Sequence, residues 1–498
     1  MENKLLPALI VGAGPVGLST ACELKQHGID CRIIDKKPEA TQTSNALGVH
    51  ARSLEMWAGM GIVEQALQQG LKLQGITIYD QAIQPLITLS LEKLLPSAFP
   101  YVLSLPQSKT EQLLTQHLAS YGLTVERSCS LTSLEQSKDY IIAKIKHTEG
   151  SIETINTQWL LGCDGYHSSV RDSLNIQYEG NDLKQEFIMI DAPLTWQKES
   201  NKILIFYHPS GITAVFPMVD SSRIIIEVSN DKSFNANISL TYTTFLSILQ
   251  NRWPFEFSLG KERWMSHFFI HERLANHYRF DRIFLLGDAA HVHSPAGGQG
   301  MNTGMQDAYN LTWKLALVIK EQVNPSLLNT YEEERRPIAK KVLNSSNQMT
   351  KIAVLRTKIA VVLRNFLAKN VFSNKKLQQK FALQISGIAN NYRHSFLSKD
   401  YVKNSCLKAG DRAPTIIKNK KFTLLIAEDC LDKEKIIRLI EINYIQLVGW
   451  QILSINNEQY TLYQLNKSYC LIRPDQYLAS QGSTYEHLKD YLVRFLIQ

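Results

Sequence analysis

The stretch from Leu6 to Gly17 constrains the fold more than any other part of the chain. The apolar run Leu6 to Val11 reads as a buried parallel strand, and it meets Gly12-Ala13-Gly14-Pro15-Val16-Gly17, the G-x-G-x-x-G spacing of a dinucleotide-binding unit. Gly12 permits the tight turn, Gly14 lets the main chain approach a pyrophosphate, and Gly17 lets the following helix pack on the strand. That helix, predicted from about Pro15 to His27, turns its positive end to the phosphates and stops at Gly28. The next strand, Cys31 to Ile34, delivers Asp35 where an acid meets the adenosine ribose hydroxyls, which argues against a 2′-phosphate and hence against NADP in this position. A glycine-rich turn without a ligand is the plainer reading, but strand, glycines, helix and acid all occur in order.

Two later stretches extend the pattern. Asp164-Gly165-Tyr166-His167-Ser168-Ser169-Val170-Arg171 follows the strand-like Trp159-Leu160-Leu161, and Gly287-Asp288 follows the buried-strand texture of Arg282 to Leu286. Pro295-Ala296-Gly297-Gly298-Gln299-Gly300-Met301-Asn302 comes soon after. Pro295 has no N–H to donate, and glycines 297, 298 and 300 let the main chain run close beneath a flat ring system. A helix starting near Gly300 would stabilise negative charge on that ring by up to roughly 2 kcal/mol.

At 498 residues the chain has room for two to four domains. A hydrophobic content of 44% with 20% charged residues describes an ordinary globular protein. The net charge of +8 has no concentrated tail, so no nucleic-acid partner is called for. Seven scattered cysteines without a CxxC pair point to reduced thiols in the cytoplasm and offer neither a disulfide framework nor a metal site. No uninterrupted apolar run reaches the roughly 18 residues of a spanning helix, and the apolar N-terminus is better used as the first strand than as a signal peptide.

The texture divides the chain into a discontinuous dinucleotide domain (1–178 and 276–345), a mainly antiparallel sheet domain inserted at 179–275, a helical segment at 346–405 and a final domain at 406–498. The inserted strands are expected at Phe187 to Ile190, Ile203 to Tyr207, Thr213 to Phe216 and Arg223 to Val228, with a helix at Thr241 to Gln250. Ile352 to Leu367 is strongly apolar yet carries Arg356, Lys358 and Arg364; it reads as a packing helix, with a membrane-surface helix as the alternative. Gly410 to Pro414 reads as a linker, followed by short strands at Phe422 to Ile426, Ile445 to Leu447 and Cys470 to Ile472 and helices at Asp432 to Glu441 and Tyr485 to Phe495.

Taken in order, the three motifs and Ala308-Tyr309-Asn310-Leu311-Thr312-Trp313-Lys314-Leu315 resemble the flavin-dependent aromatic monooxygenases of the para-hydroxybenzoate hydroxylase and phenol hydroxylase family, over nearly the whole chain. The resemblance implies an α/β fold: a Rossmann-type FAD-binding domain, an inserted substrate sheet, a helical segment and a C-terminal thioredoxin-like domain. That last domain is marked by Ala409 to Pro414 and Leu471 to Tyr477; lacking CxxC, it suits packing or oligomer contact, a homodimer included. The implied cofactor is FAD, with NAD(P)H and O2 as co-substrates. The implied reaction hydroxylates a phenol-like or polycyclic aromatic small molecule through a flavin C4a-hydroperoxide.

By the same resemblance Gly12, Gly14, Pro15, Gly17 and Asp35 hold the adenosine diphosphate half, and Arg52 and Gln107 reach FAD from the sugar and phosphate side. Asp164 shapes the loop near the pyrophosphate, although Asp164 and Arg171 pairing with each other or capping a helix is an equal reading. Gly287 and Asp288 take the ribityl chain, and Pro295, Gly298, Gly300, Met301 and Asn302 underlie the ring. Many relatives carry arginine where this chain has Asn45. Phe206, Tyr207, Phe216, Pro217 and Met218 are candidates to line a dry substrate pocket. Tyr207 or His208 is the candidate base for a phenol, although His208 beside Pro209-Ser210-Gly211 also reads as a turn residue. Epoxidation, Baeyer–Villiger insertion and alkene reduction stay open on related folds, as does a non-enzymatic escort of the GDP-dissociation-inhibitor type. The halogenase signature Trp-x-Trp-x-Ile-Pro is missing, and Trp253-Pro254 does not replace it.

Overall fold

The structure is a computed structural model that describes residues 5–494 apart from 45, 197–200, 232–233, 235–239, 296, 354, 356 and 403–404, and apart from the side chains of 183, 184, 358, 367 and 371. Asn45 therefore lies outside the described residues, and so does the arginine replacement noted there.

The first sheet is built around Leu6–Val11, which pairs in parallel with Cys31–Asp35 on one side and Ile152–Gly162 on the other. Ile283–Leu285 then pairs in parallel with Ile152–Gly162, so the strand just before Gly287-Asp288 lies two places from the strand just before Gly12. All three motifs consequently leave the sheet at the carboxyl ends of neighbouring parallel strands, the usual position of a ligand crevice in such sheets. Small residues let the layers close. A Cβ on Gly17 would lie 1.9 Å from the Gly12 carbonyl oxygen, and Cβ atoms on Gly287 and Gly304 would come within 2.7 and 2.6 Å of Val16 Cγ2. The helix Pro15–Gln26 thus seats against both the Gly287 turn and the helix Gly300–Ile319.

The second sheet has eight strands, in the order His291–Val292, Trp264–Ala275, Tyr178–Ala192, Ser222–Glu227, Gly211–Pro217, Lys202–His208, Gly75–Tyr79 and Pro85–Ser90. It extends beyond 179–275, because Gly75–Tyr79 pairs in parallel with Lys202–His208 and brings its hairpin partner along. Strand alternation sends successive side chains to opposite faces. Leu204, Phe206, Val215, Ile224 and Ile226 pack under the helix Tyr242–Arg252. Ile203, Ile205, Tyr207 and Phe216 face the other way, towards Phe372, Phe381 and Ala382 of the helices Lys358–Ser373 and Lys375–Ile385.

The last sheet orders Lys399–Asp400, Leu478–Gly482, Tyr469–Ile472, Phe422–Ala427 and Val448–Leu453, with Tyr469–Ile472 antiparallel to its two neighbours. Its fifth strand is Val448–Leu453 rather than Ile445 to Leu447. The earlier apolar residues form the turn after helix Lys433–Asn443, where the Leu447 and Val448 amides return to the Tyr444 carbonyl. Nor is Gly410–Pro414 a free linker. Gly410 and Ala413 donate to Leu478 and Gln476 carbonyls, and Arg412 pairs with Tyr477.

Candidate functional site

The glycine loop is pinned from behind and open in front. Gly12 has φ +102°, and a Cβ there would strike the Cys163 carbonyl at 2.3 Å; Gly14, by contrast, has no atom within 4 Å of its Cβ position. Asp35 Oδ2 accepts from the Ala13 amide at 2.6 Å and Oδ1 from Lys37 at 2.8 Å, so the acid at the second strand's end also holds the loop. Asp164 Oδ2 caps the helix Ser169–Ser173, accepting from Ser169 Oγ at 2.9 Å and the Val170 amide at 3.2 Å, while its buried Oδ1 has no partner among the described residues. Arg171 does not pair with Asp164. Its guanidinium donates to the carbonyls of Tyr166 and Ala289 and lies 4.0 Å over the Tyr178 ring, tying the second motif to the third.

Gly287 turns the chain at φ +57°, and the turn is clamped by Asp307, which accepts from the Gly287 amide at 3.1 Å, from His291 Nε2 at 2.7 Å and from Arg335 Nε at 2.7 Å. Burial alone would raise the Asp307 carboxyl; His291 and Arg335 overcome this and hold it below its ordinary value. The clamp presents Asp288, an exposed residue whose carboxylate has no hydrogen-bond donor among the described residues. The protein packed around Asp288 raises its pKa, against His291 and assisted by Asp307.

The turn Pro295–Gly298 closes with the Gly298 amide on the Pro295 carbonyl and leaves Gly297 and Gly298 exposed, both with positive φ. The helix that follows starts at Gly300 with no side-chain cap, so its first amides, Met301 among them, face the crevice as orphan donors. The Asn302 side chain is saturated: Oδ1 accepts from the His50 amide and Ser53 Oγ, and Nδ2 donates to the Gly48 and Gly298 carbonyls. His50 Nδ1 donates to the Ile385 carbonyl at 2.5 Å, and Gln299 Nε2 to the Gln384 and Ile385 carbonyls, which fastens the end of helix Lys375–Ile385 to the loop. Buried His293 Nε2 and Gln299 Oε1 lack partners among the described residues, as Asp164 Oδ1 does. An open glycine face, an unpaired carboxylate, an uncapped helix start and orphaned polar atoms together fit a phosphate-bearing, polyhydroxylated ligand with a flat polar ring.

Comparison with known proteins is consistent with that fit. A family model described as an FAD binding domain matches residues 6–346. The chain is 32% identical to pentachlorophenol 4-monooxygenase of Sphingobium chlorophenolicum over 84% of this chain and 79% of that protein. It belongs to the FAD-dependent aromatic monooxygenases. A second relative of this family, 6-methylpretetramide 4-monooxygenase of Streptomyces rimosus, is 32% identical over 78% of this chain and 70% of its own length. Among solved structures, OxyS anhydrotetracycline hydroxylase from Streptomyces rimosus superposes with a TM-score of 0.81 at 27% identity, covering 98% of this chain and 99% of that one. The flavin-dependent monooxygenase PieE, solved with FAD and substrate, shares the fold at TM-score 0.76 and 18% identity over the full length of both chains.

In this monooxygenase several residues lie elsewhere than the sequence placed them. Arg52 is engaged with the C-terminal domain, donating to Glu55 at 3.1 Å and the Asp475 carbonyl at 2.8 Å and lying 4.8 Å from the Tyr477 ring centre. Gln107 spends its side chain on the Ala46 amide and Glu111, so it orders the loop around position 46. Phe206 stacks on Tyr79 and meets Trp253 at a tilt beneath helix Tyr242–Arg252, and strand parity puts it on the opposite face from Tyr207 and Phe216. His208 shares the parity of Phe206, accepts from the Ser210 amide as a turn residue, and is held below its ordinary pKa by burial and by Arg252. Tyr207 does face Phe216, but burial raises its pKa against the Arg364 guanidinium 3.7 Å from its ring centre, so it stays protonated and is no base near neutrality. Asp307, Arg335 and His50 went unread. A lone acid within the apolar helix Gly300–Ile319 was the signal for Asp307.

Two predictions follow from this geometry. Asp288→Ala removes the unpaired carboxylate and is expected to weaken FAD by about 1.5 to 3 kcal/mol, roughly tenfold or more in Kd by fluorescence titration; unchanged affinity would remove Asp288 from the site. The second concerns acid. Burial lowers His50 and His293 from 6.5 to about 4. Their folded pKa values lie below the unfolded ones, so between pH 6.5 and 4 the unfolded chain takes up protons that the folded chain refuses, and stability falls as pH falls. The thermal midpoint should drop across that window, less steeply in His50→Gln; parallel pH profiles would show that His50 does not contribute.

Proposed function

We propose that the chain uses NAD(P)H and O2 to hydroxylate a phenol-like or polycyclic aromatic small molecule held between the eight-stranded sheet and the flavin loop. The observation that carries this reading is the face shared by Tyr207, Phe216, Ile205 and, by register, Ile225 and Met189. Its Ile205, Tyr207 and Phe216 part is apolar and covered by the helices Lys358–Ser373 and Lys375–Ile385, beside the Arg223–Asp191 ion pair on the same face, and the second helix is tied to Gln299 and His50. The relatives named for pentachlorophenol and for tetracycline precursors support ring hydroxylation.

Bound FAD supplies the electron transfer and oxygen activation that no side chain here can supply. In the proposal the Gly12–Gly17 loop takes the pyrophosphate on main-chain amides, Asp35 the ribose and Asp288 the ribityl hydroxyls. The uncapped amides at Gly300 and Met301 favour negative charge on the ring edge facing them. Tyr207, its proton retained, donates a hydrogen bond to a substrate oxygen, while Phe216 and Met189 exclude water. A cytoplasmic location belongs to the same proposal, supported by seven free thiols, of which six are buried. Among the described residues no helix is long and apolar enough to cross a membrane. The five-stranded C-terminal sheet, with Cys430 and Cys470 both buried and free, supports a thioredoxin-like unit without redox activity.

The test is a panel of phenols and fused-ring phenols scored for stimulated NAD(P)H oxidation, with products identified by mass. In Phe216→Ala, NAD(P)H oxidation should persist while more of the oxygen is released as hydrogen peroxide, since only hydroxylation depends on a dry wall. No ring-hydroxylated product from any member, or an unchanged peroxide fraction in a folded Phe216→Ala, would count against the reading.

A further inference from the structure

The basic excess of the chain is not spread over it. Residues 340–380 contain ten Lys or Arg and no Asp or Glu, which leaves 44 basic against 46 acidic residues in the rest of a chain whose net charge is +8. Within this stretch lies the helix Lys358–Ser373. Its inner side is used: Val361 and Arg364 are buried, Arg364 lies over Tyr207, and Phe372 packs edge-on against Phe381. Its outer side is apolar as well. Ile359, Val362, Leu363 and Phe366, at i, i+3, i+4 and i+7, form one stripe and are 84, 70, 55 and 64% exposed. Ile352 and Leu355 just before it are also exposed.

Large aliphatic and aromatic side chains massed at such exposure mark a surface that meets something apolar. The charge around them says what. Lys369, Lys375, Lys376 and Lys380 are exposed beside the stripe, and their own stretch of sequence, 340–380, holds no acid to balance them. A second copy of the chain joined about a two-fold axis on this stripe would bring two all-basic stretches together, a repulsive arrangement. An anionic bilayer suits both features at once, taking the stripe among its acyl chains and the lysines at its headgroups. Sixteen residues of helix span about 24 Å, short of the hydrocarbon core, so the helix fits lying in the surface.

We propose that helix Lys358–Ser373 docks the protein on an anionic lipid surface through the Ile359, Val362, Leu363 and Phe366 stripe. The packing-helix reading then accounts for its inner side only. Because the inner side roofs the Tyr207 and Phe216 face, docking also sets that face next to the acyl phase.

Flotation of the full-length flavin-loaded protein with vesicles tests this, comparing an equimolar mixture of phosphatidylcholine and phosphatidylglycerol with phosphatidylcholine alone. Recovery is expected with the anionic vesicles only and should decline as salt is raised. Ile359→Asp with Phe366→Asp should lower the partition coefficient on the order of a hundredfold, and Lys375→Gln with Lys376→Gln on the order of tenfold, with flavin content and melting unchanged. Both stripe positions are more than half exposed, so folding does not depend on them. Equal recovery from the two vesicle types, or undiminished recovery of the stripe variant, would overturn the proposal. So would a dimer in light scattering that the stripe variant dissolves while wild type ignores vesicles, which would make the stripe an interface between copies. Retention on polyglutamate that matches retention on vesicles and survives in the stripe variant would assign the surface to an acidic protein and would overturn it too.

Discussion

Gly14→Val is expected to give a stable protein that is colourless, while Gly17→Ala, the smaller change, is expected to damage the fold itself. Gly14 has an ordinary backbone conformation at φ −75° and open space where a side chain would go. A branched side chain there costs the polypeptide little and occupies the room in which main-chain amides approach the pyrophosphate. FAD affinity should fall on the order of a hundredfold with a nearly unchanged melting temperature. At Gly17 the added methyl would lie 1.9 Å from the Gly12 carbonyl oxygen, a backbone atom that cannot rotate away. Helix and strand must separate, at about 3 kcal/mol or more. Calorimetry and bound-flavin absorbance on both variants separate the two effects. A Gly14→Val protein with full flavin content would show that the cofactor does not use this loop.

Glu334→Ala should be the most damaging change away from the flavin site. Its carboxylate accepts from Arg473 at 2.6 and 2.8 Å, from Lys314 at 2.7 Å and from Asn310 at 2.6 Å, with every one of these groups buried. Burial alone would raise the Glu334 carboxyl, but Arg473 and Lys314 drive it well below its ordinary value; burial lowers Lys314 to about 8 despite Glu334. Removing the shared anion takes from Lys314 its direct ion pair and leaves Asp475 as the remaining acid near both Lys314 and Arg473. The expected loss is about 3 to 5 kcal/mol of stability. Urea unfolding followed by tryptophan fluorescence would report it through Trp313, which packs against Phe422 of the last sheet. A loss below about 1 kcal/mol would mean that water reaches these charges.

The two variants sample what was readable in the chain and what was not. The glycine loop, the Asp164 turn and the Gly287-Asp288 turn are legible because each is a local conformation that only certain residues adopt, and their order along the chain matches their adjacency at the strand ends. Arg52 was misread because its partner, Asp475, is 423 residues away, and nothing local distinguishes an arginine aimed at a phosphate from one aimed at a distant carbonyl. Phe206 and His208 failed for another reason: alternation tells which residues share a face, but not which face the helix Tyr242–Arg252 will cover. The Glu334 network was invisible since Glu334, Lys314 and Arg473 come from three separate segments, each looking like ordinary surface charge in its own neighbourhood. The concentration of basic residues at 340–380 was there to be counted, and the modest overall net charge concealed it.

The interrupted parallel sheet also bears on how the protein is made. Ile152–Gly162 has Leu6–Val11 on one side; on the other, Ile141–Lys146 pairs with Ile152–Thr157, and Leu160–Gly162 waits for Ile283–Leu285. During synthesis the Leu160–Gly162 end of that edge stays unpaired while more than a hundred intervening residues emerge, roughly ten seconds at ordinary elongation rates. An apolar parallel edge open for that long is a template for pairing with other nascent chains. Soluble yield is then set by how well the edge is shielded on the ribosome, a kinetic hazard separate from the stability of the finished fold.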